Sequence, residues 1–212
     1  MSNFALLLVL AVMLLGYSTA VEVKLVANIS IPTPIIGDAM FEDIETPAPI
    51  IGDGIFEDLE NVTSGAIHRY LQAAYPPNGF QTELLNAVNR ERAAKGLPAL
   101  CMNTKLQNAA QGHSNDMAEK DYMSHTGSDG STMSQRIARA GYDRTASGEN
   151  VAAGHTSVDE VMTAWMNSPR HRDNILRKKF TMFGCGYAYS ESSTYKHYWT
   201  QNFGRSNTEK CS

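Results

Sequence analysis

Ser168, His171 and Glu149 supply the residue types of an acyl-transfer triad, a nucleophile, a base and an acid to orient it. Two features of the sequence argue against turnover. Ser168 stands directly before Pro169, which reads as a helix N-cap followed by proline at the first helical position, so its oxygen is expected to accept from backbone amides. No Gly-x-Ser-x-Gly elbow occurs anywhere in the chain. A second histidine, His113, falls on the apolar stripe Leu106, Ala109, Ala110, His113, Met117, which is the place of a satisfied core histidine. Three cysteines, Cys101, Cys185 and Cys211, permit one disulfide and three pairings. A clip at Cys211 would do most to restrain the C-terminal end, which favours Cys101 with Cys211. Cys101, at the start of a helix, and Cys185, in a strand, have no histidine close by in sequence and are expected to serve structure.

The elements that must position these side chains follow from periodicity. After Pro76-Pro77-Asn78-Gly79, Leu84, Leu85, Val88 and Arg92 share one helical face, and Lys95, Gly96 and Pro98 close the helix. A second helix starts near Asn103, and a third runs from about Thr132 to Ala140 and ends at Gly141. The fourth opens at Ser157-Val158-Asp159-Glu160 with the spacing of a capping box and buries Val158, Val161 and Trp165. A fifth starts at Ser168-Pro169. Met182 to Tyr189 and Lys196 to Gly204 read as a β-hairpin. The order helix, helix, helix, strand, helix, helix, hairpin implies an α+β layered domain over residues 79–212, long enough to bury one core.

The N-terminal third has another character. Phe4 to Gly16 is apolar and too short to span a bilayer, and Ala20 ends a small-residue cleavage site, so residues 1–20 are expected to be a signal peptide and the product secreted. Residues 21–78 form an acidic segment, with a net charge of −8 from Val21 to Ser64. The whole chain carries −4, and Arg69 is the only charge between Gly65 and Asn78, so the part from Gly79 onward carries +3. Residues 31–45 (IPTPIIGDAMFEDIE) and 46–60 (TPAPIIGDGIFEDLE) are a tandem repeat. Its prolines, glycine and acids are poor material for helix or sheet, so it is expected to be a disordered spacer, with a docking motif as the other reading. Asn28 and Asn61 begin glycosylation acceptor patterns in this stretch. The basic run Arg170, Arg172, Arg177, Lys178, Lys179 is expected to be a solvated face, the alternatives being that it faces phosphates, anionic lipid heads or the chain's own acidic segment, and nucleic acid is not an expected partner.

Seven blocks occur in one order from Phe80 to about Ser206. They are LLNAVNRER from Leu84, GLPAL from Gly96, AAQGHSNDMA from Ala109, SHT from Ser124, GENVA from Gly148, WMNSPRHR from Trp165 and YWTQNFG from Tyr198. Together they resemble the CAP superfamily, the cysteine-rich secretory, antigen 5 and pathogenesis-related-1 (PR-1-like, SCP-like) proteins, and its microbial branch above all. The resemblance implies an α-β-α sandwich, a small antiparallel sheet flanked by helices, with a cleft holding two histidines and two acids. Matched position by position, these are His125, His171 and Glu149. The second acid is replaced by Ser168, and Glu160, more than one helical turn upstream, is better explained by its capping box. His113 would lie near the other two histidines.

Such a cleft implies a candidate divalent-metal set, His125, His171 and Glu149, whose N and O donors suit Zn over Mg. His171, third in its helix, would be held neutral by the positive end of the dipole. The blander alternative has both imidazoles hydrogen-bonding Glu149. The resemblance further implies a secreted monomer that binds a sterol, fatty acid or related small lipid in an extracellular role. A Ser168-His171-Glu149 or metal-dependent hydrolase, and an interaction protein acting through the acidic repeat, are the alternatives.

Overall fold

The computed structural model describes residues 32–43 and 79–212. The expected signal peptide, both glycosylation acceptor patterns and the second repeat copy lie outside the described residues. The elements in chain order are β1 (Ile35–Ile36), β2 (Met40–Asp43), α1 (Phe80–Ala93), β3 (Cys101–Met102), α2 (Thr104–Lys120), α3 (Met133–Arg139), β4 (Ala146–Ala153), α4 (Val158–Asn167), α5 (Pro169–Ile175), β5 (Met182–Tyr189) and β6 (His197–Arg205).

One sheet runs in the order β1-β4-β6-β5-β3, with β2 also pairing β4. β4, β6 and β5 form an antiparallel centre, Glu149 opposite Asn202 and Cys185 opposite Gln201. The expected all-antiparallel sheet has one exception, because β3 pairs β5 in parallel. Cys101 therefore sits in a short strand and not at a helix start; the helix begins at Thr104, where the Asn103 side chain accepts from the amides of Lys105 and Leu106. Cys101 is disulfide-bonded to Cys211, and Cys185 is a free, buried thiol.

Strand alternation sends successive side chains to opposite faces and so builds two cores. On one side Phe183, Cys185, Trp199 and Phe203 pack with Leu84 and Val88 of α1 and Val161 and Trp165 of α4. On the other, α2 and α3 cover the sheet through Leu106, Met133, Ile137 and Met182, and through Met117, Val151 and Tyr198. The α2 backbone lies directly on β5: a Cβ at Gly184 would fall 2.2 Å from the Gln107 nitrogen, and one at Gly186 2.4 Å from the Ala110 oxygen. The result is the α-β-α sandwich. Arg92 is wholly buried on its apolar helix face because its guanidinium donates to the carbonyls of Pro98, Ile175 and Arg177.

Two local expectations are corrected. The first repeat copy, read as disordered, supplies β1 and β2, with Ile35 opposite Ala153 and Met40 opposite Glu149. Ile35, Ile36 and Phe41 suit a strand while the flanking Pro34, Gly37 and acids do not, and the segment is held there because β4 offers an otherwise unpaired edge. The box at α4 is half formed: Ser157 Oγ accepts from the Glu160 amide, while the Glu160 carboxylate turns to the amide and hydroxyl of Thr156.

Candidate functional site

Glu149, in the middle of β4, has its side chain completely buried on the α2-α3 side of the sheet. Burial by itself pushes a carboxyl upward, yet this one is held below the usual range by the hydrogen bond with His125 and by the charges of His113 and Arg136. Arg136 Nη2 lies 3.0 and 2.9 Å from the two carboxylate oxygens, and its Nη1 donates to the carbonyls of His125 and Ser131. With its amide turned to suit its neighbours, Asn202 also donates to Glu149 Oε2 at 3.1 Å. Arg136 was missed in the sequence. Its only signal was a long cation on the short helix α3, which sequence alone does not aim at β4.

His125 Nδ1 sits 2.7 Å from Glu149 Oε1. Its Nε2 is buried without a hydrogen-bond partner. His113 is fully buried with Nε2 2.8 Å from the Ser124 carbonyl oxygen, while its Nδ1 has no hydrogen-bond partner. Burial is the main cause that pulls its pKa down, against the raising charge of Glu149. It is a core histidine beside the cleft, anchored through one nitrogen.

His171 lies in the first turn of α5, and its pKa is lowered to about 4, by burial first and then by the charge of His125. Its Nδ1 is 2.7 Å from Ser168 Oγ, and its Nε2 is buried with no hydrogen bond closing on it. Ser168 does occupy the N-cap position before Pro169, but its side chain makes no cap hydrogen bond. The expectation that its oxygen serves backbone amides is therefore corrected: the imidazole three residues on has taken that oxygen. Behind His171, Asn150 donates to the His171 carbonyl and to Gln201, and Asn174 donates to Asn150.

The structure thus joins Glu149 to His125 and Ser168 to His171, as two separate pairs whose imidazoles act on each other electrostatically. A Ser168-His171-Glu149 triad does not form, because Glu149 orients the other histidine. The proposed Zn set is corrected in the same way. Both Glu149 oxygens are taken by Arg136 and His125, and among the described residues no group of three His, Cys, Asp or Glu could hold a metal ion. Away from this cleft, a surface cavity of about 240 Å³ opens between α1 and α4, lined by Ala87, Arg90, Glu91, Met162, Met166 and their neighbours.

An α-β-α sandwich in which a histidine of the α2-α3 loop is bound to a carboxylate of the central sheet, with a second histidine in the first turn of α5, defines an SCP-like domain. The chain belongs to the cysteine-rich secretory protein (CAP) family, whose sequence pattern matches residues 85–203. It is 34% identical over 126 residues to the uncharacterized protein YkwD of Bacillus subtilis, covering 59% of this chain and 47% of that protein. It is 29% identical over 123 residues to the uncharacterized membrane protein YlbC of the same organism, covering 58% of this chain and 34% of the relative. The chain thus spans less than half the length of the curated relatives it matches. Among solved structures it is similar to an extracellular SCP-domain protein from Bacillus anthracis, with 32% identity, a TM-score of 0.55, and 61% of this chain and 41% of the other covered. The likeness to an outer surface protein from Borrelia burgdorferi, at 23% identity and a TM-score of 0.53 over 58% of this chain and 90% of that one, is one of fold.

Proposed function

We propose that this chain is a secreted, extracellular CAP-domain protein that binds a small lipid without turning it over. The commitment of Glu149 to Arg136 and His125 carries the second half of that reading, since it withholds that carboxylate from the Ser168-His171 pair. A general base works best with a pKa near the operating pH, and His171 at about 4 is a weak base for a serine at neutral pH. The Cys101–Cys211 disulfide suits an oxidising, extracellular setting. The apolar run at residues 4–16 supports export.

Of the lipid classes, a single acyl chain is the better match. Drug-sized ligands occupy sites of roughly 300–1,000 Å³, and the α1-α4 cavity, at about 240 Å³, falls below that range. Ala87, Met162 and Met166 supply the apolar part of its lining, and Arg90 is the cation in a polar remainder that also holds Glu91, Asp159, Thr163 and Asn167. A bulky, rigid sterol would need the helices to part.

The test is displacement of a fluorescent fatty acid from the full chain, repeated with Met162→Trp to fill the cavity, alongside assays with p-nitrophenyl acyl esters. Saturable binding that is weakened at least tenfold by Met162→Trp, with no ester hydrolysis above background, is the expected result. Absence of saturable binding to folded protein overturns the lipid reading. Hydrolysis abolished by His171→Ala overturns the absence of turnover.

A further inference from the structure

β4 is seated between β6 on one side and the first repeat copy on the other, so residues 32–43 are all that covers that sheet edge among the described residues. The seat reads the segment at several positions. Pro34 packs against Gly154, where an added Cβ would fall 2.8 Å from the Pro34 Cα. Gly37 donates its amide to the Val151 carbonyl at 3.0 Å, and a Cβ there would meet Val151 Cγ2 at 2.5 Å and the Met123 sulfur at 3.0 Å. Asp38 faces Arg170 at 3.6 Å, and Glu42 faces Arg144 at 3.8 Å. Asn174 donates to the Met40 carbonyl at 2.9 Å. Phe41 lies under the Arg177 guanidinium, 3.6 Å from the ring centroid, and meets Phe180 edge-on at 5.8 Å.

Every side chain read in this way recurs fifteen residues later. Pro34, Ile35, Ile36, Gly37, Asp38, Phe41 and Glu42 correspond to Pro49, Ile50, Ile51, Gly52, Asp53, Phe56 and Glu57. Between residues 34 and 43 the copies differ at Ala39 and Met40 (Gly54 and Ile55 in the second copy); the Met40 carbonyl accepts from Asn174 through the backbone, and its side chain, packed on the cluster of Leu106, Met133 and Ile137, is exchanged for another apolar one. The second copy thus carries the same residue at each of these seven positions.

We propose that the β4 edge, with Arg144, Gly154, Arg170, Asn174, Arg177 and Phe180, is a sequence-reading peptide groove, and that residues 49–58 of the second repeat are its alternative occupant. Recognition is by strand addition: main-chain pairing with β4 supplies the attachment, and the proline, glycine, acidic and phenylalanine positions supply selectivity. Reach does not forbid the exchange. With Asp58 in the place of Asp43, the twenty residues 59–78 still link the seat to Gly79, and at full extension they span roughly 66–72 Å. Tethering gives both copies a high effective concentration at the seat, so loss of one is made good by the other. Either occupant brings a Gly-Asp pair beside His171, as Gly37 and Asp38 now stand.

The test uses the full chain with Gly37→Val, Gly52→Val and both substitutions together, read by hydrogen exchange over residues 146–153. Gly52→Val should match the unmodified chain, Gly37→Val should retain its protection because the second copy takes the seat, and the double variant should exchange its outward amides at least tenfold faster. A labelled peptide of residues 46–60 should then bind the double variant saturably, be displaced by the 31–45 peptide, and not be displaced by a 46–60 peptide carrying Gly52→Val. If Gly37→Val alone exposes β4, the second copy is not an occupant and the proposal fails. Protection that persists in the double variant shows that glycine is not read, and overturns it equally. Should the double variant not fold, the comparison of Gly37→Val with the unmodified chain still decides.

Discussion

Glu149 and Arg136 form a two-pronged ion pair inside the protein, one guanidinium nitrogen within 3.0 Å of both carboxylate oxygens of a side chain that has no exposure. That pair, more than either histidine, explains why the cleft does not assemble a triad or a metal set. It spends the carboxylate on architecture and leaves His125 oriented by what remains.

Removing one half of such a pair strands a buried charge. Arg136→Met is expected to cost about 3–5 kcal/mol of stability, and Arg136→Lys should recover only part of it, because an ammonium cannot hold both oxygens together with the carbonyls of His125 and Ser131. Urea unfolding of the three proteins checks this. Near-equal midpoints would mean that the pair carries no net stability.

His171 should make the protein acid-sensitive. Its folded pKa is about 4, below the ordinary value of 6.5, so between those values the unfolded chain binds the proton that the folded chain refuses. Stability is therefore full above about pH 7 and falls as the pH drops from 6.5 toward 4, by roughly 3 kcal/mol at most from this residue. The burial-lowered pKa values of His113, His155 and His197 add to the slope in the same direction. His171→Asn, which keeps a polar atom near Ser168, should flatten part of that slope when denaturant midpoints are measured from pH 7.5 to 4.5. An unchanged slope would place the sensitivity elsewhere.

The Cys101–Cys211 bond closes a separation of 110 residues and ties the last residues to the start of α2, where Asn103 donates to the Lys210 carbonyl and Thr104 meets Ser212. Cys211→Ser is expected to lower the unfolding free energy by about 2–5 kcal/mol. Calorimetry with and without reductant should show the unmodified chain losing a comparable amount, and the variant none. Equal melting temperatures in all four samples would contradict it.

Five helices and the hairpin were legible because each buries a stripe at its own period: Leu84, Val88 and Arg92 in α1, Leu106 to Met117 in α2, Val161 and Trp165 in α4. Their ends were legible from local chemistry, as at Asn103. The Ser168 cap was misread because two acceptors compete for one hydroxyl, and the nearby imidazole prevails only once α5 has turned it inward. The first repeat copy was misread because strand addition depends on the edge it meets and hardly at all on its own propensity.

Composition, periodicity and motif order thus determined the family, the layers and the identities of His125, Glu149 and His171, since these depend on neighbours along the chain. Which partners the polar groups of the cleft and the β4 edge take was decided by the tertiary structure. Arg136 reaches Glu149 from a helix thirteen residues upstream, and Met40 meets Asn174 across 134 residues. A buried hydrogen bond selects whatever donor folding brings within about 3 Å, and no local pattern encodes that distance.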